Sequence, residues 1–155
     1  MKAVILVGGK ATRLLPLTCY VPKAMVPVLN VPLLEHVIRH LSRHQVKEII
    51  LAQGHLSQPI KDYFGDGSQL GVKIHYSYED TPLRTAGAIK NAARYLSGTF
   101  VTLNGDSFTD LDITAMLKFH QKIYWNRLDS FEMSRYTNAI HTYHSSLPEL
   151  SAEWL

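Results

Sequence analysis

The most chemically loaded stretch of this 155-residue chain is Gly8-Gly9-Lys10-Ala11-Thr12-Arg13-Leu14. Glycines without a Cβ let a backbone approach phosphate oxygens, consecutive N–H groups form an anion nest, and Lys10 and Arg13 add positive charge. A tight turn carrying two solvated cations is the plain alternative. The stretch is neither a GxxxxGK[ST] phosphate loop nor a GxGxxG dinucleotide fingerprint. A dinucleotide fold would also need an acid for the ribose hydroxyls where Gln53-Gly54 stands, which argues against a nicotinamide enzyme.

Two further groups bear chemistry. Pro22-Lys23-Ala24 sets a lysine in a stiff, proline-bounded loop, where it either meets an anion or is merely solvated. Asn104-Gly105-Asp106 places a carboxylate after a glycine that permits a sharp bend, so Asp106 either reaches a hard cation or caps a turn. His36, His40 and His44 recur at helical spacing and invite a metal reading, but such a stripe reads better as a solvated helix face. Trp125 and Trp154 read as local packing.

These residues need elements to position them. Ala3 to Val7 is an apolar run ended by two glycines, the pattern of a buried parallel strand. Leu33, Leu34, Val37, Ile38 and Leu41 give a helix one apolar face, with Glu35, His36, Arg39 and His40 on its polar face. Glu48 to Ala52 reads as a second buried strand, and Ser57 with Pro59 opens a short helix to Phe64. Val72 to Tyr78 reads as a strand, Thr85 to Leu96 as a helix with Ala86, Ile89, Ala93 and Leu96 on one face, and Thr99 to Leu103 as a strand. Asp112 is the expected N-cap of a helix from Ile113 to about Gln121. Alternating strands and helices imply right-handed crossovers and a doubly wound, mostly parallel α/β sheet. Ligands of such sheets sit beyond the carboxyl ends of the strands, so the segments after Val7, Ala52, Tyr78 and Leu103 are where a site should be, with Lys23 in a loop facing the same rim. From about Ile123 the periodicity weakens and no clear strand is expected.

The length suits one domain, and 46% hydrophobic residues suffice for a core. A formal charge of +3 arises from scattered residues without a basic block, which gives a nucleic-acid partner no support beyond the pI. With Cys19 as the only cysteine, an internal disulfide or a cysteine-based zinc cluster is excluded. The apolar start is too short for a leader or a membrane span, so a soluble cytoplasmic protein with no membrane partner is expected.

The runs Gly8 to Thr18, Pro22-Lys23-Ala24-Met25-Val26-Pro27-Val28, Thr85-Ala86-Gly87-Ala88-Ile89 and Asn104-Gly105-Asp106 together resemble the sugar-1-phosphate nucleotidyltransferases. The second run is most similar to the mannose-1-phosphate guanylyltransferase branch, with thymidylyl-, uridylyl- and adenylyltransferases as neighbours. The resemblance implies a Rossmann-like, glycosyltransferase-A-like sheet, truncated at its C-terminus. It spans about residues 1–122, the nucleotide-binding part, and leaves 123–155 as an atypical tail. It also implies transfer of a nucleoside monophosphate from a nucleoside triphosphate to a sugar 1-phosphate with release of pyrophosphate, most simply GTP and mannose 1-phosphate giving GDP-mannose. By the same resemblance Leu6, Val7, Gly8, Gly9, Lys10, Ala11, Thr12, Thr85 and Gly87 line the nucleotide pocket, and Gln53 is a candidate base contact. Arg13 grips the triphosphate, Lys23 meets the phosphates at the reacting centre, and Asp106 holds Mg²⁺.

The chain departs from the family pattern at Ala11 and at Arg84, where glycine is usual. Arg84 either crowds the base pocket or points to solvent. The family's sugar-phosphate strands, second metal-binding aspartate and EKP-type lysine motif do not follow Lys122, so a nucleotide-binding fragment without turnover is the alternative. Oligomeric state, a homo-oligomer included, is left open.

Overall fold

A computed structural model describes residues 1–9, 14–54, 57–126 and 140–144, with side chains up to Lys122. The expectations for Lys10, Ala11, Thr12 and Arg13, and for the side chains of Trp125 and Trp154, lie outside the described residues.

A five-stranded sheet organises the chain: β1 (Lys2–Leu6), β4 (Glu48–Gln53), β5 (Lys73–Tyr78), β6 (Thr99–Asn104) and β7 (Ile140–His144), in the order β5-β4-β1-β6-β7. The first four run parallel, with Leu6 opposite both Ala52 and Asn104. Strand β7 pairs antiparallel with β6, Ile140 opposite Leu103. No strand was expected past Ile123, and β7 corrects this: Ile, Thr and Tyr suit a strand, but five residues on a sheet edge show too little alternation to be read alone.

Pleating explains the two-layer core. Ala3, Ile5 and Val7, with Ile49, Leu51, Val101 and Leu103, face the larger apolar cluster, whereas Val4, Ile50, Ala52 and Phe100 face the smaller one. The larger cluster is closed by helices α1 (Leu33–Arg43), α2 (Gln58–Phe64) and α4 (Ile113–Asn126), through Leu34, Val37, Ile38, Leu41, Ile60, Phe64 and Ile113. The smaller is closed by α3 (Arg84–Asn91) through Ala88 and Ile89. Each such aliphatic or Phe side chain contributes about 1.5–3 kcal/mol on burial. The sheet is therefore covered on both faces, as the sequence pattern required. No described helix is long and apolar enough to cross a membrane.

Local chemistry sets the helix ends. Asp112 Oδ1 accepts from Ala115 N at 2.9 Å, the expected N-cap of α4. Helix α3 stops at Asn91 and yields to a 3-10 turn, Ala93–Tyr95, so Ala92 is buried and Ala93 is exposed, not the reverse as a continuous helix implied. A hairpin of β2 (Pro27–Val28) and β3 (Val31–Pro32) occupies part of the proline-rich loop. Its turn residues Leu29 and Asn30 both have positive φ, 52° and 63°, the requirement of a type I′ hairpin turn, which Leu29 does not advertise.

Glu35 was assigned to the polar face of α1 but is only 6% exposed. Its Oε1 accepts from Arg39 Nε at 2.6 Å and its Oε2 from the Tyr63 hydroxyl at 2.7 Å. Burial alone pushes this carboxyl upward, but the hydrogen bonds from Tyr63 and Arg39, with the charges of Arg39 and His36, outweigh it and hold it below its ordinary value.

Candidate functional site

The crossovers β1-α1-β4 and β4-α2-β5 progress to one side of β1, whereas β5-α3-β6 returns to the other, so the order reverses between β1 and β6. A crevice opens outside the carboxyl ends of strands at such a reversal. Here the strand exits are tied edge to edge beyond the regular sheet. Val7 N donates to Ala52 O at 2.9 Å, Glu79 N to Gln53 O at 2.8 Å, and Gly105 N to Leu6 O at 2.9 Å. The rim thus reads Glu79, Gln53, Val7-Gly8-Gly9, Gly105-Asp106 in spatial order.

Gly8 and Gly9 are exposed, and Gly9 has φ 121°, a conformation that disfavours any side chain. The described start of the bend after β1 is therefore exposed. Gly105 serves a different need: a Cβ there would lie 2.5 Å from Val7 Cγ1 and 3.1 Å from Ile5 Cγ2, so only glycine lets β6 leave the sheet this close to β1. The close approach sets Asp106 directly after a residue bonded to Leu6, beside the exit of β1.

Lys23 meets it there. Lys23 opens a 3-10 turn, Lys23–Met25, whose Ala24 and Met25 side chains are buried in the larger core, while Met25 N donates to Pro22 O at 2.8 Å. The turn is thereby fixed to the protein body, and Lys23 Nζ donates to Asp106 Oδ2 at 2.7 Å. Asp106 Oδ1 also accepts from Ser107 Oγ at 3.3 Å. The side chains of Lys23 and Asp106 are 42% and 37% exposed, so both remain accessible to a ligand. Lys23 and Asp106, singled out separately in the sequence, form one unit.

Gln53 is only 1% exposed, yet neither its Nε2 nor its Oε1 has a hydrogen-bond partner among the described residues. An amide buried in this way costs free energy unless something completes it. It can offer one donor and one acceptor to a ligand.

The other candidates divide. Leu6 is half-buried against the smaller core cluster, and Thr85 is exposed near the start of α3. Gly87 is partly buried within α3, where a Cβ would meet Leu83 Cβ at 2.8 Å, so its glycine has a packing reason. Val7 has its side chain in the core at 7% exposure and its N–H bonded to Ala52 O, so any part it plays in a pocket is not through its side chain. Arg84 is exposed and points to solvent, and its φ of 57° explains why glycine suits the position.

The histidine stripe is a correction. His36, His40 and His44 are not a solvated face: their ring nitrogens engage Val28 O at 2.9 Å, Leu111 O at 2.9 Å and Thr114 Oγ1 at 3.0 Å. Single-helix periodicity could not show the connection between β6 and α4 lying across them. Nor do they gather a metal, because no group of three or more His, Cys, Asp or Glu side chains among the described residues could hold one. Mg²⁺ asks for less: one or two carboxylates with substrate phosphates and waters suffice, and Asp106 fits that demand.

Comparison with known proteins agrees with this geometry. The model of the nucleotidyl transferase family matches residues 2–134. D-glycero-alpha-D-manno-heptose 1-phosphate guanylyltransferase of Campylobacter jejuni is 41% identical over 123 residues, covering 79% of this chain and 55% of that protein. Mannose-1-phosphate guanylyltransferase of Mycobacterium tuberculosis is 40% identical over 128 residues, covering 82% of this chain and 35% of that protein. Among solved structures, HddC from Yersinia pseudotuberculosis complexed with GMP-PN superposes with a TM-score of 0.67 at 32% identity, covering 83% of this chain and 54% of that one. The chain therefore spans about half or less of the length of these relatives. A glycine-opened strand exit at the sheet's reversal point, a carboxylate–lysine pair at the next strand exit and a family match over residues 2–134 lead to one conclusion: this chain belongs to the nucleotidyl transferase family.

Proposed function

We propose that the crevice binds a nucleoside triphosphate and supports transfer of its nucleoside monophosphate to a sugar 1-phosphate, releasing pyrophosphate, with GTP and mannose 1-phosphate as the substrates. The observation that carries this reading is the Lys23–Asp106 pair, 2.7 Å apart, at the exit of the strand next to the one that ends in the exposed Gly8-Gly9. A sugar 1-phosphate oxygen is already an anion, so attack on the α-phosphorus requires no general base. The protein has to align attacker and leaving group and offset negative charge. Lys23 would contribute positive charge at the reacting phosphates, and Asp106 would hold Mg²⁺. That ion, when bound, neutralises phosphate charge. The buried Gln53 amide is suited to the base, since guanine presents an acceptor and a donor side by side, as do thymine and uracil. Guanine is favoured by the two guanylyltransferase relatives rather than by that amide.

Calorimetric titration with GTP, dTTP, UTP and ATP in the presence of Mg²⁺ tests the reading, followed by pyrophosphate release with GTP and mannose 1-phosphate. Preferential GTP binding with release supports it, and no binding of any of the four rejects it. A second reading is a nucleotide-binding module without turnover, in which the exposed Gly8-Gly9 and the Lys23–Asp106 pair hold a nucleotide alone. GTP binding without pyrophosphate release selects that reading.

A further inference from the structure

We propose that His36 and His40 are positioning residues for the Lys23–Asp106 pair, holding from one helix face the two separate segments that bring its members together. This inference rests on the reading of that pair as the reactive centre.

Helix α1 is a fixed reference: Leu34, Val37, Ile38 and Leu41 are buried against the sheet, leaving the face that carries the histidines turned to the side. On that face His36 Nε2 lies 2.9 Å from Val28 O, in the hairpin that follows the Lys23–Met25 turn after one residue. One helical turn on, His40 Nε2 lies 2.9 Å from Leu111 O, at the end of the connection that Asp106 begins. A carbonyl only accepts, so both rings must carry hydrogen on Nε2. His44 extends the row: Nδ1 stands 3.0 Å from Thr114 Oγ1 and 3.4 Å from Asp112 Oδ1, fixing the start of α4 beyond the connection.

The connection needs such an anchor. From Gly105 to Leu111 its described backbone bonds are Gly105 N to Leu6 O at 2.9 Å and Ser107 N to Asn104 O at 3.4 Å, both at the near end. At the far end the Leu111 side chain packs partly buried against the larger core, but its N–H is bonded locally, to Thr109 Oγ1 at 3.1 Å. Phe108, 64% exposed, meets the His36 ring edge-on at 6.4 Å between centroids, which links the two anchored segments once more. Lys23 Nζ and Asp106 Oδ2 meet through their side chains alone, the carboxylate's other described partner being its neighbour Ser107, so a shift of either segment would alter the contact. What the rings supply is an N–H donor at a set reach from a rigid helix.

Glutamine at each position keeps a donor of similar reach, whereas leucine keeps bulk without one. The Asp106 carboxylate ¹³C shift in the ligand-free chain reports on the pair without any nucleotide, with the Lys23→Ala protein as the reference for a broken pair. His36→Leu and His40→Leu should move the shift toward that reference and weaken Mg²⁺–GTP binding about fivefold each, the worth of one hydrogen bond of about 1 kcal/mol. His36→Gln and His40→Gln should retain both wild-type values. Leucine variants that keep the wild-type shift, or glutamine variants that lose it as leucine does, overturn the proposal. If a leucine variant does not fold, the glutamine variants decide: an unmoved shift supports the anchoring and a displaced one refutes it. Failure of the unmodified chain to bind any nucleotide removes the functional reading, while the shift still judges the positioning role.

Discussion

Lys23 and Asp106 stand 83 residues apart in the chain and 2.7 Å apart in the fold. Both side chains are more than a third exposed, and an ion pair so accessible to water contributes at most about 1 kcal/mol to stability. Asp106→Asn and Lys23→Ala should therefore unfold at nearly the wild-type temperature. Pyrophosphate release should fall about a hundredfold or more, the scale of losing one charge-stabilising group at a reacting phosphate or acyl centre. Thermal unfolding and the release assay on the same samples separate the two effects, and a large stability loss with unchanged release would reassign the pair to the fold.

Gly105→Ala should be costly for a reason unrelated to charge. The added methyl would stand 2.5 Å from Val7 Cγ1 and 3.1 Å from Ile5 Cγ2, with Leu6 O at 3.3 Å on the third side. Overpacking of this kind costs about 1–3 kcal/mol. Urea unfolding should show the shift, accompanied by weaker nucleotide binding as Asp106 moves with its backbone.

Gln53→Leu should separate stability from recognition. Removing an unsatisfied buried amide in favour of an apolar group of similar size should leave stability unchanged or raise it by about 1 kcal/mol. Nucleotide affinity should drop, and preference among the four bases should flatten. Chemical denaturation and calorimetry read these two outcomes independently, and destabilisation together with unaltered base preference would place the amide's role in the fold.

Glu35 predicts an acid dependence. Its carboxyl is held below the ordinary value of 4.5, so the folded state favours the carboxylate more than the unfolded state does. The associated stability is fully present above about pH 4.5 and is lost as pH falls through the lower, folded value. Glu35→Gln should flatten that part of the stability–pH curve, as followed by urea unfolding across the acid range. An unchanged acid slope would show that other carboxylates set it.

Arg84→Gly should stabilise. Arg84 sits at φ 57°, where a side chain costs about 1–2 kcal/mol, and its exposed side chain makes no contact that glycine would forfeit among those described. Part of the gain is offset by the greater freedom of glycine in the unfolded chain, leaving about 0.5–1 kcal/mol. A lower melting temperature in the variant would show that the guanidinium holds something in place.

The sequence made the sheet legible because its strands are buried on both faces, so Ala3 to Val7 and Glu48 to Ala52 appear as unbroken apolar runs bounded by turn residues. Lys23 and Asp106 were legible as candidates through their proline and glycine neighbours, but their pairing depends on the strand order and on the clearance at Gly105, which no local pattern encodes. Gln53 gave no sign of being orphaned, since that follows from what surrounds it on all sides. The histidines misled because periodicity treats a polar helix face as facing water, whereas here it meets carbonyls of two other segments and a hydroxyl of α4. The Leu29-Asn30 turn was hidden because leucine rarely accepts positive φ.

The sheet's two faces are unequally clothed, three helices on one and α3 with its short 3-10 extension on the other. Spontaneous opening concentrates where fewer buried contacts resist it, so amide exchange should be fastest through α3 and slowest through α1. Thr85 and Gly87 ride on that yielding element, whereas Lys23 is rooted in the firmer layer. The crevice thus has a pliant end and a stiff end, the first beside Gln53 and the second at Asp106.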